Sequence, residues 1–345
     1  MRYIVYGAGA IGGLVGGRLA QAGHDVALIA RGRHADAMRE RGLRIDAPNG
    51  STTVRVPVAT DPAELGITPD DTVLLTVKGQ DTAGALARLV ECAPESIAVA
   101  CLQNGVDNER VALRHFARVY AVPVMCPAAH LEPGVVEASS APTEGILDVG
   151  CYPHGVDDHS QRLADGFCSA NFDARAVPDV MRWKYTKLLM NVGNAVEALC
   201  GPAREALDVV LAARGEARAV FAAAGIEYAS DDEDKERRGD LIKILPVNGR
   251  RRGGGSSWQS LARGTGAIEA DHLNGEIVLL GRMHDVPTPV NERLQRTANQ
   301  AARERWAPGS VSAASLLELG VQLGARDDHV RGEVEPQHHD DDGTE

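Results

Sequence analysis

The chain is poor in aromatics: Phe, Trp and Tyr make up 4% of its 345 residues, so its cores must be built mainly from Ala, Val, Leu and Ile. It has no apolar run of the ~18 residues that a membrane span needs, and no leader-like stretch precedes its first strand. A cytoplasmic protein without a membrane partner is therefore expected. An excess of positive charge is also missing. The net charge is −12, which argues against a nucleic-acid partner because nothing would neutralise a phosphate backbone. The six cysteines are scattered without C-x-x-C spacing, and in a chain this long they read as small buried apolar residues rather than a disulfide frame. Half of the net charge, −6, lies in residues 326–345, with eight acids and two bases. His338, His339 and Asp340-Asp341-Asp342 fall there without the spacing of a ligand set, so no metal is expected and the stretch reads as a disordered acidic tail.

A chain of this length exceeds what one hydrophobic core usually serves, so two domains are expected. Tyr3-Ile4-Val5-Tyr6 has the pattern of a short buried strand. Gly7-Ala8-Gly9-Ala10-Ile11-Gly12 follows, and Ile11, Leu14, Val15, Leu19 and Ala20 then recur at helical spacing up to Gly23. Val26-Ala27-Leu28-Ile29 supplies a second strand and completes a βαβ unit. Further strands are expected at 53–58, 72–77, 98–102 and 119–124, with helical stretches between several of them. The fold class is thus α/β, beginning with a Rossmann-type doubly wound parallel sheet. Beyond Pro178 helical patterns dominate, over 181–199, 203–224, 267–283 and 289–305. The second domain is therefore expected to be mainly α-helical. The charged segment 229–255, ending Arg250-Arg251-Arg252-Gly253-Gly254-Gly255, reads as a mobile loop leading into its main helix.

Gly7-x-Gly9-x-x-Gly12 gains its meaning from its place between a strand and a helix. One glycine allows the tight turn, the next lets a pyrophosphate approach the backbone, and the third lets the helix pack on the sheet. The N–H groups from Ala10, Ile11 and their neighbours at the helix start would face that anion. Sites for NAD place an acid at the end of the second strand to accept from the ribose 2′-hydroxyl. This chain has Ala30-Arg31-Gly32-Arg33 there. An acid would repel a 2′-phosphate and Arg31 can grip one, so NADPH is the expected cofactor, a solvated basic turn being the plainer alternative. The boundaries that follow are 1–180 for the NADP-binding domain, 181–325 for the helical catalytic domain and 326–345 for the tail.

In Arg182–Asn194, Asn191 and Asn194 lie about 40° and −20° round a helix from Lys187, so the three share one stripe. An ammonium and two carboxamides aimed together among apolar neighbours could make a polar pocket, and burial would lower the lysine pKa towards that of a useful proton donor. From spacing alone, a surface lysine whose stem covers apolar neighbours is the more common explanation. Glu269, on the expected helix 267–283, reads by itself as a solvated acid. Lys78 and Gln103-Asn104 follow strands at the carboxyl edge of the sheet, where α/β folds bind ligands.

Together these stretches resemble the ketopantoate reductase family, the 2-dehydropantoate 2-reductases, over residues 1–323. The likeness rests on Gly7-Ala8-Gly9-Ala10-Ile11-Gly12, Thr76-Val77-Lys78, Leu102-Gln103-Asn104-Gly105-Val106, Lys187-x-x-x-Asn191, Ser256-Ser257, Ile268-Glu269-x-Asp271-x-x-Asn274-Gly275 and Val286-Pro287-Thr288-Pro289-x-Asn291. The resemblance implies a Rossmann domain and a helical domain with the active site between them. It further implies reduction of a 2-oxo acid, 2-dehydropantoate, by NADPH, in pantothenate biosynthesis. Lys187 would be the catalytic lysine and Glu269 its partnering acid. Asn191, Asn194, Ser257 and Asn104 would hold the substrate, with Asn104 and Lys78 also lining the nicotinamide side.

Three features depart from the family pattern. Position 195 is Ala where the family commonly repeats Asn, and Asn194 comes one residue earlier. The usual Ser-Ser-Met-Leu-Gln-Asp reads Ser-Ser-Trp-Gln-Ser-Leu, so Trp258 is expected to reshape the pocket. The segment 229–255 is unusually charged. A paralogue acting on another 2-oxo acid or ketone, or a non-catalytic NADPH-binding redox sensor, are the competing readings. The sequence leaves a homodimer open.

Overall fold

Tyr3, Ile4, Val5 and Tyr6 are all buried, as a strand covered on both faces requires. In the computed structural model, which describes residues 1–202 and 206–317, they form β1 (Tyr3–Tyr6), an inner strand of a seven-stranded sheet. The acidic tail expected at 326–345 lies outside the described residues. The chain continues through α1 (Ala10–Gln21), β2 (Val26–Ile29), α2 (Gly32–Arg41), β3 (Leu43–Ala47), β4 (Gly50–Val54), β5 (Val58–Ala59), β6 (Thr72–Leu75) and α3 (Thr82–Val90). Next come β7 (Ala98–Cys101), α4 (Asn108–Leu113), β8 (Arg118–Ala121), β9 (Val124–Met125), β10 (Ala128–Ala129) and β11 (Val135–Ala138). The first half closes with β12 (Ser140–Pro142), β13 (Ile146–Leu147), β14 (Gly150–Cys151) and α5 (Asp158–Ser169).

The main sheet runs β14-β8-β7-β6-β1-β2-β5, parallel except at the β14 edge, with Tyr3 opposite both Val26 and Thr72. One face buries Leu14, Val15, Met38 and Phe167 from α1, α2 and α5, and the other buries Leu86, Leu89 and Ala112 from α3 and α4. Helices on both faces make the sheet doubly wound. A second sheet, β10-β11-β3-β4, lies across the outer side of α1. A Cβ on Gly13 would come within 2.8 Å of Val136 in that sheet, and one on Gly16 within 2.6 Å of Leu28 in the main sheet. The glycines of α1 thus let one helix be packed from two sides.

The second half is helical: α6 (Val180–Asn191), α7 (Asn194–Cys200), α8 (Leu207–Ala223), α9 (Asp231–Arg238), α10 (Ser256–Arg263), α11 (Asn274–Met283) and α12 (Pro289–Arg303). They share a separate core that includes Leu188, Val196, Val220, Phe221, Ile277 and Leu294. The one strand among the described residues there, β15 (Ile242–Ile244), pairs antiparallel with β12 of the first half. Among the described residues no helix is long and apolar enough to cross a membrane.

Several elements differ from expectation. The strand expected at 53–58 is divided into β4 and β5, and Pro57, which has no N–H to give a ladder, lies between them. The stretch 119–124 is likewise broken before β9, where Pro123 stands. The helix expected over 181–199 bends into α6 and α7 at Val192-Gly193, where the Gly193 N–H bonds Met190 O at 3.3 Å. The charged segment 229–255 contains α9, whose Ser230 and Glu233 form a reciprocal cap, with four acids in the first turn and three bases in the last. The glycines that follow are packed: a Cβ on Gly254 would stand 2.5 Å from Cγ of Trp258. Of the cysteines, Cys101 is buried and Cys168 exposed, so they are not uniformly core residues.

Candidate active site

The loops that leave β1, β2, β6 and β7 meet at the carboxyl edge of the sheet and form one wall of a cleft of about 760 Å³. Gly7, Gly9, Ala10, Ile11, Arg31, Lys78 and Asn104 all line it. The facing wall carries Lys187 and Asn191 from α6, Asn194 and Glu197 from α7, and Arg252, Ser256 and Glu269. Of the expected site residues, Gly12 and Ser257 are not on the lining.

Gly12 lies beneath the turn. A Cβ there would stand 2.3 Å from Gly7 O and 2.4 Å from Thr76 Oγ1. Gly7 adopts φ +109°, and Thr76 Oγ1 donates to Gly7 O at 2.8 Å and to Tyr6 O at 3.0 Å, fixing the turn on the loop after β6. Gly9 is different: a Cβ on it would meet nothing within 4 Å. Its missing side chain leaves open space above the start of α1, where the first N–H groups of the helix have no intrahelical acceptor. That cradle fits the pyrophosphate of a dinucleotide.

His34 steadies the same loop. The Gly134 N–H donates to His34 Nδ1 at 2.8 Å, which assigns the ring proton to Nε2, and Nε2 donates to Ala8 O at 2.6 Å. Burial and the neighbouring His130 push the His34 pKa down to about 4, so the ring is neutral. Arg31 begins α2 at the mouth of β2, exposed to solvent, with no acid in the turn Ala30-Arg31-Gly32-Arg33.

Lys187 is partly buried in the facing wall. Loss of water round its ammonium, helped by the charges of Arg238 and Arg252 and opposed by Asp234, lowers its pKa to about 8. Asn191, at the end of α6, is buried, and its Nδ2 has no hydrogen-bond partner among the described residues. The bend after α6 leaves Asn194 on the same cleft, so Lys187, Asn191 and Asn194 come together.

The resemblance makes Glu269 the acid partner of Lys187, but its direct partner in the structure is Lys78. Glu269 stands on a 3₁₀ turn, Glu269–His272, rather than within a long helix. Its carboxylate pairs with the Lys78 ammonium and accepts the Gly79 N–H at 3.1 Å. The turn is docked tightly enough that a Cβ on Gly79 would touch the His272 ring at 2.8 Å, and His272 Nδ1 bonds Asp107 Oδ2 at 2.9 Å. The acid is therefore committed to the loop after β6. Ser257 is buried, and Ser256 replaces it on the lining, its Oγ buried and without a partner among the described residues. The Trp258 ring lies against Gly253 and Gly254 and is not part of the cleft wall, so it does not reshape the pocket directly.

Sequence reasoning passed over a buried pair, Lys184 and Glu109. Lys184 Nζ pairs with the Glu109 carboxylate and donates to Gln103 O at 2.9 Å. Gln103 Nε2 in turn donates to Val77 O and Thr82 Oγ1, each at 2.8 Å, and Asn108 Nδ2 donates to Asn104 O at 3.0 Å. One network thus fixes the loops bearing Lys78 and Asn104 against the helix bearing Lys187, one turn further on. The signal was present as a second lysine three residues before Lys187, on the same face.

A phosphate-cradling turn opposite a buried lysine and carboxamides, across a cleft between a Rossmann domain and a helical domain, defines a nicotinamide-dependent oxidoreductase acting on a CH–OH group. The profile of Ketopantoate reductase PanE/ApbA matches residues 3–154, that of Ketopantoate reductase PanE/ApbA C terminal matches residues 179–302, and the chain belongs to this family. It is similar to the 2-dehydropantoate 2-reductase of Halobacterium salinarum, 30% identical over 88% of this chain and 100% of that protein. The corresponding protein of Pyrococcus horikoshii is 29% identical over 84% of this chain and 94% of its own. The solved ketopantoate reductase of Ralstonia eutropha JMP134 matches with a TM-score of 0.73 at 30% identity, covering 88% of this chain and 99% of that one. A D-mandelate dehydrogenase solved with NADH and anilino(oxo)acetate shares the fold, with a TM-score of 0.75 at 21% identity over 88% of this chain and 99% of that one.

Proposed function

We propose that this chain reduces a 2-oxo acid to the 2-hydroxy acid with NADPH, and that 2-dehydropantoate, giving pantoate, is its substrate. The observation that carries the reading is the position of Lys187, a partly buried ammonium facing the glycine turn across one cleft. Residues 1–180 bind the nucleotide: the start of α1 takes the pyrophosphate, and Arg31 grips the 2′-phosphate with its planar fork. Lys78 and Asn104 border the nicotinamide side. When bound, the cofactor supplies a hydride to the ketone carbon.

The second half does the proton chemistry. Lys187 donates a hydrogen bond to the ketone oxygen, stabilises the negative charge that develops there and delivers the proton. With its pKa lowered to about 8, the ammonium is still mostly protonated at neutral pH and gives up its proton more readily than an exposed lysine. Asn191 and Asn194 orient the substrate with the donors that the cleft leaves unmatched. Glu269 serves the site by holding Lys78 and the loop after β6.

The Lys187→Ala variant tests this directly. It should lose turnover of 2-dehydropantoate by about 10²- to 10⁴-fold while binding NADPH as the parent does. Near-parental turnover would overturn the assignment.

A further inference from the structure

Three hydrogen-bond donors on the helical-domain wall of the cleft are buried and have no partner among the described residues: Arg252 Nε, Ser256 Oγ and Asn191 Nδ2. Arg252 is the unusual member. Its guanidinium makes no ion pair with any described carboxylate, whereas Arg250, two residues before it, reaches Glu137 at 2.9 Å on the outer surface. Glu197 also lines the cleft, but one of its oxygens, Oε2, is taken by the Gly255 N–H at 2.8 Å. A half-buried guanidinium whose buried Nε–H is unmatched is costly unless something fills the gap, and an anion with a flat pair of oxygens fits it best.

We propose that Arg252, with Ser256 Oγ on the same cleft wall, is the clamp that holds the substrate's carboxylate, and that this clamp makes the enzyme selective for 2-oxo acids over neutral ketones. This rests on the reductase reading above and names the group that enforces its substrate class. A 2-oxo acid carries its carboxylate one carbon from the ketone. Arg252 and Lys187 line the same wall, and Arg252 is one of the charges acting on Lys187. One substrate can therefore span both, carboxylate on Arg252 and ketone oxygen on Lys187. The assignment also accounts for the sequence after Arg252. Gly253 and Gly254 let Trp258 close over the backbone, which holds the arginine loop against α10.

The test compares the parent, Arg252→Gln and Arg252→Lys on two ketones, 2-dehydropantoate and its lactone, which keeps the ketone and lacks the carboxylate. Arg252→Gln should raise KM for the acid by roughly 30-fold or more. It should leave NADPH affinity unchanged and cost the lactone far less than the acid, the lactone feeling only the lost charge near Lys187, with partial recovery of the acid in Arg252→Lys. An equal loss on both ketones, or no loss on the acid, overturns the clamp. Should the parent reduce neither compound, the assignment of 2-dehydropantoate fails by itself. The clamp is then judged by calorimetric titration of oxamate into the NADP⁺ complex: weaker binding to Arg252→Gln than to the parent supports it, and equal or absent binding in both refutes it.

Discussion

The carboxylate of Glu269 and the ammonium of Lys78 meet across the cleft, tying the helical half of the chain to the loop after β6. The same carboxylate receives the Gly79 N–H at 3.1 Å, so this acid closes two bonds to one loop. Glu269→Ala would leave a backbone donor and an ammonium without their acceptor, and should destabilise the protein by about 1–3 kcal/mol. It should also raise KM for both NADPH and the ketone, because Lys78 loses its hold on the nicotinamide side of the cleft. Urea unfolding with steady-state kinetics checks both; unchanged stability would mean that the bridge is not formed in solution.

The buried pair Lys184–Glu109 lies behind Asn104, with both side chains almost wholly removed from solvent. Replacing one partner strands the other. Lys184→Met should therefore cost about 3–5 kcal/mol, and the double variant Lys184→Met/Glu109→Leu should recover much of that loss. Denaturant midpoints of the two variants decide. Equal losses in single and double variants would contradict the pairing.

Lys187 gives the pH dependence of the reaction a definite sign. Its pKa is lowered to about 8 and it acts as an acid in the reduction, so kcat/KM should be flat below that pH. Above it the rate should fall about tenfold per pH unit as the ammonium deprotonates. A pH–rate profile in the reductive direction checks this, and a rate that rises through pH 8 would assign the lysine the opposite role.

Stability should respond to acid through His34 and His159, whose pKa values are each lowered to about 4, chiefly by burial. His34 receives the Gly134 N–H and His159 bonds Thr72 Oγ1 at 3.1 Å, contacts made by neutral rings. Their folded pKa values lie below the ordinary 6.5, so the unfolded chain binds protons first. The stability they contribute is complete above about pH 6.5 and is lost as the pH falls towards 4. Unfolding free energy measured across that window should decline, and a flat profile would contradict the neutral assignment.

The parts of this fold that the sequence announced are those with strong periodicity or strict stereochemistry. The turn from Gly7 to Gly12 has both, and its βαβ unit lies where the pattern places it. The four-stranded sheet over α1 was not legible, because β10 has two residues and the other strands four or five, too few for alternation to stand out. The helix α9 was legible and overlooked: Ser230 with Glu233, then acids before bases, is a capping signature hidden by the density of charge. At the site, residue types and spacing brought Lys187, Asn191 and Asn194 to one wall. Nothing in the spacing could direct Glu269 to Lys78, 191 residues away in the chain, nor tell Ser256 from Ser257. Those outcomes depend on how a 3₁₀ turn and a helix start are docked, which is tertiary packing.

Arg31 bears the claim about the cofactor. Arg31→Ala should weaken NADPH by about 10- to 100-fold and leave NADH nearly as it was, the difference expected for losing one charge-assisted contact to a 2′-phosphate. Isothermal titration with both cofactors measures it. Tighter binding of NADH by the parent would remove NADPH from the account.

The most direct measurement is NADPH oxidation by the parent protein over a panel of 2-oxo acids that includes 2-dehydropantoate, followed at 340 nm with the Lys187→Ala variant in parallel. The account predicts turnover of a 2-oxo acid, greatest for 2-dehydropantoate, that disappears in the variant while NADPH still binds. A parent that binds NADPH and oxidises it with no member of the panel would contradict it and leave a binding protein in place of an enzyme.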